Sequence, residues 1–409
     1  MTANTLLLII ICFVVLEFIF GKVLDFLNSK SWSNPLPRLV EDLYDKDKYS
    51  KAKNYAKDNG NIALLSSVIS LATILSILIF KGFGSLDSWI NGLTANNILQ
   101  SLLFFGMLSL GSFIIDLPFS LYKTFVIEEK YGFNQTTLKT YVLDFFKSLG
   151  LGILIGGAIL SALTWVYYQL PNSFWWIAWI IMTMVSLFFA TFYTTLILPL
   201  FNKLEPLENG SLRTSIESYA SKVDFPLTNI FVIDGSKRSS KANAFFSGLG
   251  KKKAIVLYDT LMKDNTEEEL TAILAHEVGH YKKNHIKQGM ILGVIQTGVL
   301  FFLFGLLSSS SMLGEALGAS SNSFHIALIG FSMLYSPISL MTGIGMNLLS
   351  RKNEFEADNF AKETYNGEPL QTALKNLSVN HLSNLTPHPS YVFVHYSHPP
   401  LIERLEALQ

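Results

Sequence analysis

Seven stretches of the chain stay apolar for long enough to cross a bilayer, which takes about 20 mainly apolar residues in a helix. They run roughly over 5–20, 62–80, 98–118, 148–170, 175–200, 286–307 and 324–349. The first is the shortest and contains Glu17. No Lys or Arg precedes it and no small-residue cleavage site follows, so it reads as a permanent anchor rather than a signal peptide. The polar stretches are uneven: a long one over 201–285, a tail over 350–409, and two smaller loops. The pattern predicts a mainly α, polytopic membrane protein in four parts: five membrane helices within 1–200, a catalytic segment over 201–285, two more membrane helices within 286–349, and a C-terminal segment over 350–409.

Positive charge sorts the loops into two sets. Eight Lys or Arg lie from Lys22 to Lys57, four between the third and fourth runs (Lys123, Lys130, Lys139, Lys147), twelve over 201–285, and five after Leu349. The alternate loops carry none past Lys81. By the positive-inside rule the N-terminus lies outside, and the large polar segments and the C-terminus face the cytoplasm.

Composition supports a membrane protein. Half of the residues are hydrophobic and 15% are charged, against about 25% charged in an ordinary soluble domain; mean hydropathy is +0.35. The 31 basic residues balance 31 acidic ones, which excludes a basic nucleic-acid binder. With Cys12 the single cysteine, an intramolecular disulfide and a zinc–thiolate site are excluded. Any metal site must use His, Asp and Glu.

The segment 201–285 carries the chemistry. Asn229–Asp234, Ala244–Ser247 and Ala254–Tyr258 read as strands, the last two joined by a turn over Gly248–Lys253, and together predict a small antiparallel sheet or hairpin. Thr266 to Glu269 forms a Ser/Thr-x-x-Glu capping box before a helix. That helix holds His276-Glu277-Val278-Gly279-His280, an H-E-x-x-H motif. Residues four apart share a helix face, so both imidazoles can reach one metal ion. Glu277 sits about 100° round the helix, where it can reach the attacking water without being a ligand. That division of labour suits metal-assisted peptide hydrolysis.

A catalytic zinc needs a third protein ligand. Lys283 and Ile286 occupy the positions where a metzincin would have glycine and histidine, which excludes that class, and His285 falls one residue short. Glu354 and Asp358, four apart, share one helix face. One can ligate the metal while the other accepts a hydrogen bond from a ligand histidine. Glu356 points elsewhere and reads as ordinary surface. His398 and Arg404, six apart, can stabilise an oxyanion and hold substrate. His381, His388 and His395 read as surface or structural residues, and His325 as packed or interfacial.

At this point the chain resembles the integral-membrane CAAX prenyl proteases of the Ste24 type, zinc metalloproteases of peptidase family M48. The similar segments are Phe125–Leu138, Asp234–Gly248, Ala254–Leu261, the motif helix, Ser350–Asp358 and His395–Arg404. The resemblance implies one Zn2+ held by His276, His280 and Glu354, with Glu277 as base and Asp358 supporting a ligand. It places Asn243 beside the substrate backbone, and His398 and Arg404 at the oxyanion and substrate. It implies seven helices forming a barrel around a large chamber, with a small zincin-like catalytic domain. The strand from Ala244, Phe245 included, can offer an edge to an extended peptide; a closed hairpin with Asn243 in its turn is the alternative. The partners expected are a peptide or prenylated peptide and the lipid bilayer, with no nucleic acid and no oligomer required. A second role, quality control of non-lipidated membrane proteins, uses the same chemistry. A transporter has no need of H-E-x-x-H with a distant Glu-x-x-x-Asp.

Overall fold

The computed structural model describes residues 2–32, 36–41, 43, 46–227, 229–247 and 254–409. Among these, seven helices are long and apolar enough to cross a membrane: Ala3–Ser31, Lys46–Ile79, Asn97–Tyr131, Leu138–Gln169, Pro171–Phe201, His285–Leu307 and Phe324–Thr364. Several outrun their apolar cores, the first reaching Ser31 and the third Tyr131. Thr2, Asn96 and Thr137 each accept a hydrogen bond from a first-turn N–H, which satisfies donors that a helix start leaves open. Large apolar side chains stay exposed along these helices, with Leu110 at 58%, Ile114 at 62% and Met341 at 73% exposure. A water-soluble protein keeps such patches small; a lipid-facing surface requires them. The chain is a multi-pass integral membrane protein.

The seventh helix runs unbroken for 41 residues. Its apolar part ends near 349, yet no Pro or Gly interrupts 350–364. The helix therefore emerges from the membrane zone and carries Glu354 and Asp358 into a second core. That core gathers Ile255 and Leu257 of the sheet, Leu274, Ala275 and Val278 of the motif helix Glu267–Lys282, Ala361 of the seventh helix and Leu370 of the helix Gly367–Asn380.

The sheet has four strands, β1 (Leu204–Pro206), β2 (Asn229–Ile233), β3 (Ala244–Ser247) and β4 (Ala254–Tyr258), in the order β1-β2-β4-β3. The β3–β4 pair is antiparallel, with Ala244 opposite Leu257; its turn over Gly248–Lys253 lies outside the described residues. β2 runs parallel to β4, so the sheet is mixed rather than antiparallel throughout. Ala254 to Leu257 are buried in a row, the continuous apolar run of a strand covered on both faces. β1 was not anticipated: three residues ending in Pro are too short for a period-two signal. β3 stands at an edge of the sheet.

Candidate metal centre and active site

The motif helix starts where the sequence places it. Thr266 Oγ1 accepts from the Glu269 N–H at 3.3 Å, and Glu269 Oε2 accepts from the Thr266 N–H at 2.9 Å. From that anchored start, Leu270, Leu274 and Val278 face the core. Gly279 sets the next contact. A Cβ there would stand 3.0 Å from both the Cα and the carbonyl oxygen of Ala357, so any larger residue would push the two helices apart by a few tenths of an ångström. Ala357 lies between Glu354 and Asp358, and the crossing brings both carboxylates beneath the motif histidines.

Three side chains converge. His276 Nε2 and His280 Nε2 lie 3.1 Å apart. Glu354 Oε2 is 3.4 Å from His276 Nε2, and Oε1 is 3.2 Å from His280 Nε2. All three offer a ligand atom within 4.8 Å of one another. Donors 2.0–2.1 Å from a tetrahedrally coordinated ion stand about 3.4 Å apart, so the spacing fits a metal. Two more observations agree. Glu354 Oε2 is buried with no hydrogen-bond partner. Burial works against a charge on His276, yet the neighbouring carboxylates of Asp358 and Glu354 outweigh that and push its pKa up to about 9. The pocket attracts positive charge.

The surrounding groups are ordered in turn. Asp358, 1% exposed, meets His276 Nδ1 at 2.8 Å. Arg404 grips Asp358 with two parallel bonds, Nε at 2.8 Å and Nη2 at 2.6 Å, while Nη1 lies 3.5 Å from Glu354. His398 sits at the rim, its side chain 65% exposed and Nε2 3.4 Å from Glu354 Oε1. Glu277 is half-buried and borders two cavities. One, of about 530 Å3, is also lined by Asn243, Ala244, His276, Glu354, His398 and Arg404. The other, of about 340 Å3, lies on the side of His280 and His285.

Phe245 is not brought to the cavity. Successive strand residues face opposite ways, and Phe245 packs towards the Tyr258 ring on the far side from Ala244. Asn243 is exposed at the start of the edge strand, its Oδ1 accepting from the Ala244 N–H and its carbonyl from the Tyr258 N–H. The resemblance segment Phe125–Leu138 steadies this strand. Lys241 Nζ meets Glu128 at 3.2 Å and the Tyr55 hydroxyl at 2.8 Å, and sits 4.3 Å over the Phe133 ring.

Sequence reasoning missed three residues here. His381 Nε2 accepts from the Ala242 N–H at 3.1 Å, beside the larger cavity. Burial, helped by Lys241, holds its pKa below the usual value. Glu356 is not ordinary surface: its Oε2 lies 3.1 Å from His285 Nε2, and His285 Nδ1 lies 3.0 Å from His280 Nδ1. Spacing alone gives no sign of these contacts, since each joins separate elements.

Comparison with known proteins agrees with this architecture. Residues 25–203 match the family model of the CAAX prenyl protease N-terminal region, five membrane helices, and residues 206–409 match that of peptidase family M48. The chain is 37% identical to CAAX prenyl protease 1 of Saccharomyces cerevisiae, covering 98% of this chain and 94% of the relative. It is 33% identical to the CAAX prenyl protease 1 homolog of Homo sapiens, over 91% and 88% of the two chains. The crystal structure of S. mikatae Ste24p superposes with a TM-score of 0.93 at 37% identity, covering 99% of each chain.

Proposed function

The chain belongs to the CAAX prenyl proteases of peptidase family M48, and from that premise we propose that it is a membrane-embedded zinc endopeptidase cutting CAAX-type, prenylated substrates near their C-terminus. His276, His280 and Glu354 hold the zinc, and Glu277 is the base. The observation that carries this reading is the convergence of three ligand atoms beside Glu277, in a cavity bordered by the start of the edge strand β3.

Bound zinc lowers the pKa of a coordinated water to about 7 and polarises a carbonyl. The residues supply the rest. Glu277 takes the proton of the attacking water and delivers it to the leaving nitrogen. Asp358 accepts from His276 Nδ1–H, which leaves the Nε2 lone pair facing inward. Arg404 fixes Asp358, and its Nη1, with His398 at the rim, faces the charge that develops on the carbonyl oxygen. Asn243 and Ala244 bind the peptide backbone as an added strand, with Phe245 bracing β3 from its other face. The segments 1–200, 201–285, 286–349 and 350–409 divide the labour: membrane helices, catalytic sheet and motif helix, two further helices, and the third ligand.

The reading also orients the chain. Seven crossings put the termini on opposite sides, and the distribution of Lys and Arg places the N-terminus outside and the active site on the cytoplasmic side. Labelling of single introduced cysteines from either side of sealed vesicles tests this. The activity test is cleavage of matched farnesylated and plain C-terminal peptides, before and after chelation and zinc re-addition. Loss on chelation, recovery with zinc and preference for the farnesylated peptide are expected. A zinc-free protein with full activity would overturn the reading; equal or faster cleavage of the plain peptide favours the quality-control role.

A further inference from the structure

The two motif histidines are supported in different ways. His276 gives its outer nitrogen directly to a carboxylate, Asp358. The outer nitrogen of His280 meets another imidazole instead: Nδ1 of His280 and Nδ1 of His285 are 3.0 Å apart. The carboxylate comes one step later, with His285 Nε2 3.1 Å from Glu356 Oε2. The side chain of His285 is 6% exposed and that of Glu356 is 40% exposed.

The protons in this chain have one consistent assignment. His280 Nε2 faces Glu354 Oε1 and His276 Nε2, so as a ligand it must present a lone pair there. The neutral ring then carries its proton on Nδ1. That N–H needs an acceptor, so Nδ1 of His285 is the bare nitrogen. His285 therefore carries its proton on Nε2 and donates it to Glu356. The opposite tautomer of His285 would set two N–H groups against each other and a lone pair against a carboxylate. The backbone builds the contact as well. Asn284 sits at φ 62, a left-handed turn that Asn tolerates, and it places His285 at the first residue of the sixth span, under His280.

We propose that His285 and Glu356 are positioning residues for the metal: His285 fixes the tautomer and ring orientation of His280, and Glu356 fixes His285. The inference rests on the ligand set given under the proposed function. Its test uses the purified, zinc-loaded full chain and the rate of zinc release to excess chelator at fixed pH, with kcat and KM measured alongside. In His285→Gln the amide oxygen can accept from His280 and the amide N–H can donate to Glu356. His285→Phe fills the space with neither function. Losing such a support costs about 10- to 100-fold in metal affinity. His285→Phe is therefore expected to release zinc about 10- to 100-fold faster than the parent, His285→Gln at close to the parental rate, and Glu356→Ala in between.

A folded Phe variant that keeps zinc as the parent does overturns the relay, and so does a Gln variant as leaky as the Phe variant. Should the Phe variant fail to fold, Glu356→Ala decides, because release at the parental rate overturns the relay. A parent that binds no zinc overturns the ligand set and the relay together. A zinc-holding parent with unaffected variants overturns the relay alone.

Discussion

The seventh helix carries a histidine–carboxylate cluster at each end, and the two differ in what they leave open. At its start, His325 Nε2 lies 2.7 Å from Asp87 Oδ1, and His325 Nδ1 lies 3.2 Å from Ser101 Oγ. Ser323 donates to Asp87 Oδ1 at 3.1 Å, and Asn91 donates to its other oxygen at 3.1 Å. Asp87, Ser101 and His325 have no accessible surface, and the Phe104 ring lies 4.5 Å from the imidazole. Ser, His and Asp are the residue types of a nucleophilic triad, yet here each side chain has its partner and water is excluded. Near the other end, two imidazole nitrogens face each other, Glu354 Oε2 has no hydrogen-bond partner, and two cavities open beside Glu277. Residue types do not separate the clusters. Unsatisfied lone pairs facing a space do.

Glu277→Gln should have the largest effect. The amide keeps the shape but cannot take a proton, and positioned acid–base groups contribute about 10²- to 10⁴-fold. Turnover should fall by about 10³-fold with zinc content unchanged. An active Glu277→Gln protein with normal zinc would remove the base from the mechanism. The sealed cluster should answer in the opposite currency. Asp87→Ala leaves His325, Ser323 and Asn91 without their shared partner, and a buried polar group left unsatisfied costs about 1–3 kcal/mol. Thermal unfolding should shift well down while kcat per folded molecule and zinc content hold. A tenfold fall in kcat with an unchanged melting temperature would make the sealed cluster functional.

How each cluster could be read from the sequence follows from how its contacts are built. The seven spans were legible because apolar runs of bilayer length are local, and the H-E-x-x-H pair because i,i+4 neighbours share a helix face whatever the tertiary fold. Glu354 and Asp358 were legible as a pair for the same reason, although their burial depends on Gly279, which no pattern marks out. The sealed cluster was not legible: His325 and Asp87 are 238 residues apart, and each looks ordinary alone. His285 and Glu356, 71 apart, were missed likewise. The sequence presents Arg404 as a partner for substrate, but its two-pronged grip on Asp358 needed the structure. The sheet was read as antiparallel because a hairpin is a local signal, while the β2–β4 parallel pairing is set by the long excursion through β3.

The same substitution, Asp to Asn, separates the two clusters. Asp358→Asn keeps one acceptor and loses the charge that favours His276 Nδ1–H, and comparable changes lower metal affinity about 10- to 100-fold. Faster zinc loss to a chelator is the expected result, with some activity restored in excess zinc. Asp87→Asn should shift thermal unfolding and leave the zinc release rate alone. Identical effects of the two substitutions on zinc retention would erase the distinction between a satisfied cluster and an unsatisfied one.

His381 falls between the two clusters, and its effect should be the smallest. Its Nε2 is satisfied by the Ala242 N–H, as in the sealed cluster, yet it borders the cavity, as in the open one. The bond needs the neutral ring, and burial with the nearby Lys241 lowers its pKa from 6.5. A histidine whose pKa is lower folded than unfolded contributes stability that is full above about pH 6.5 and is lost as pH falls through the folded value. Near pH 7 the bond is therefore intact. His381→Phe removes the acceptor one residue before Asn243 and leaves the backbone N–H of Ala242 unpartnered. A hydrogen bond of this kind is worth about 1 kcal/mol, so KM should rise about fivefold with kcat nearly unchanged, because under the proposed function Ala242 leads into the strand that binds peptide and takes no part in proton transfer. His381→Gln, which can offer an oxygen to the same N–H, should recover part of the loss. A Phe variant with parental KM would show that the edge strand keeps its shape without this bond, and that a satisfied histidine beside a cavity is as structural as one sealed in the core.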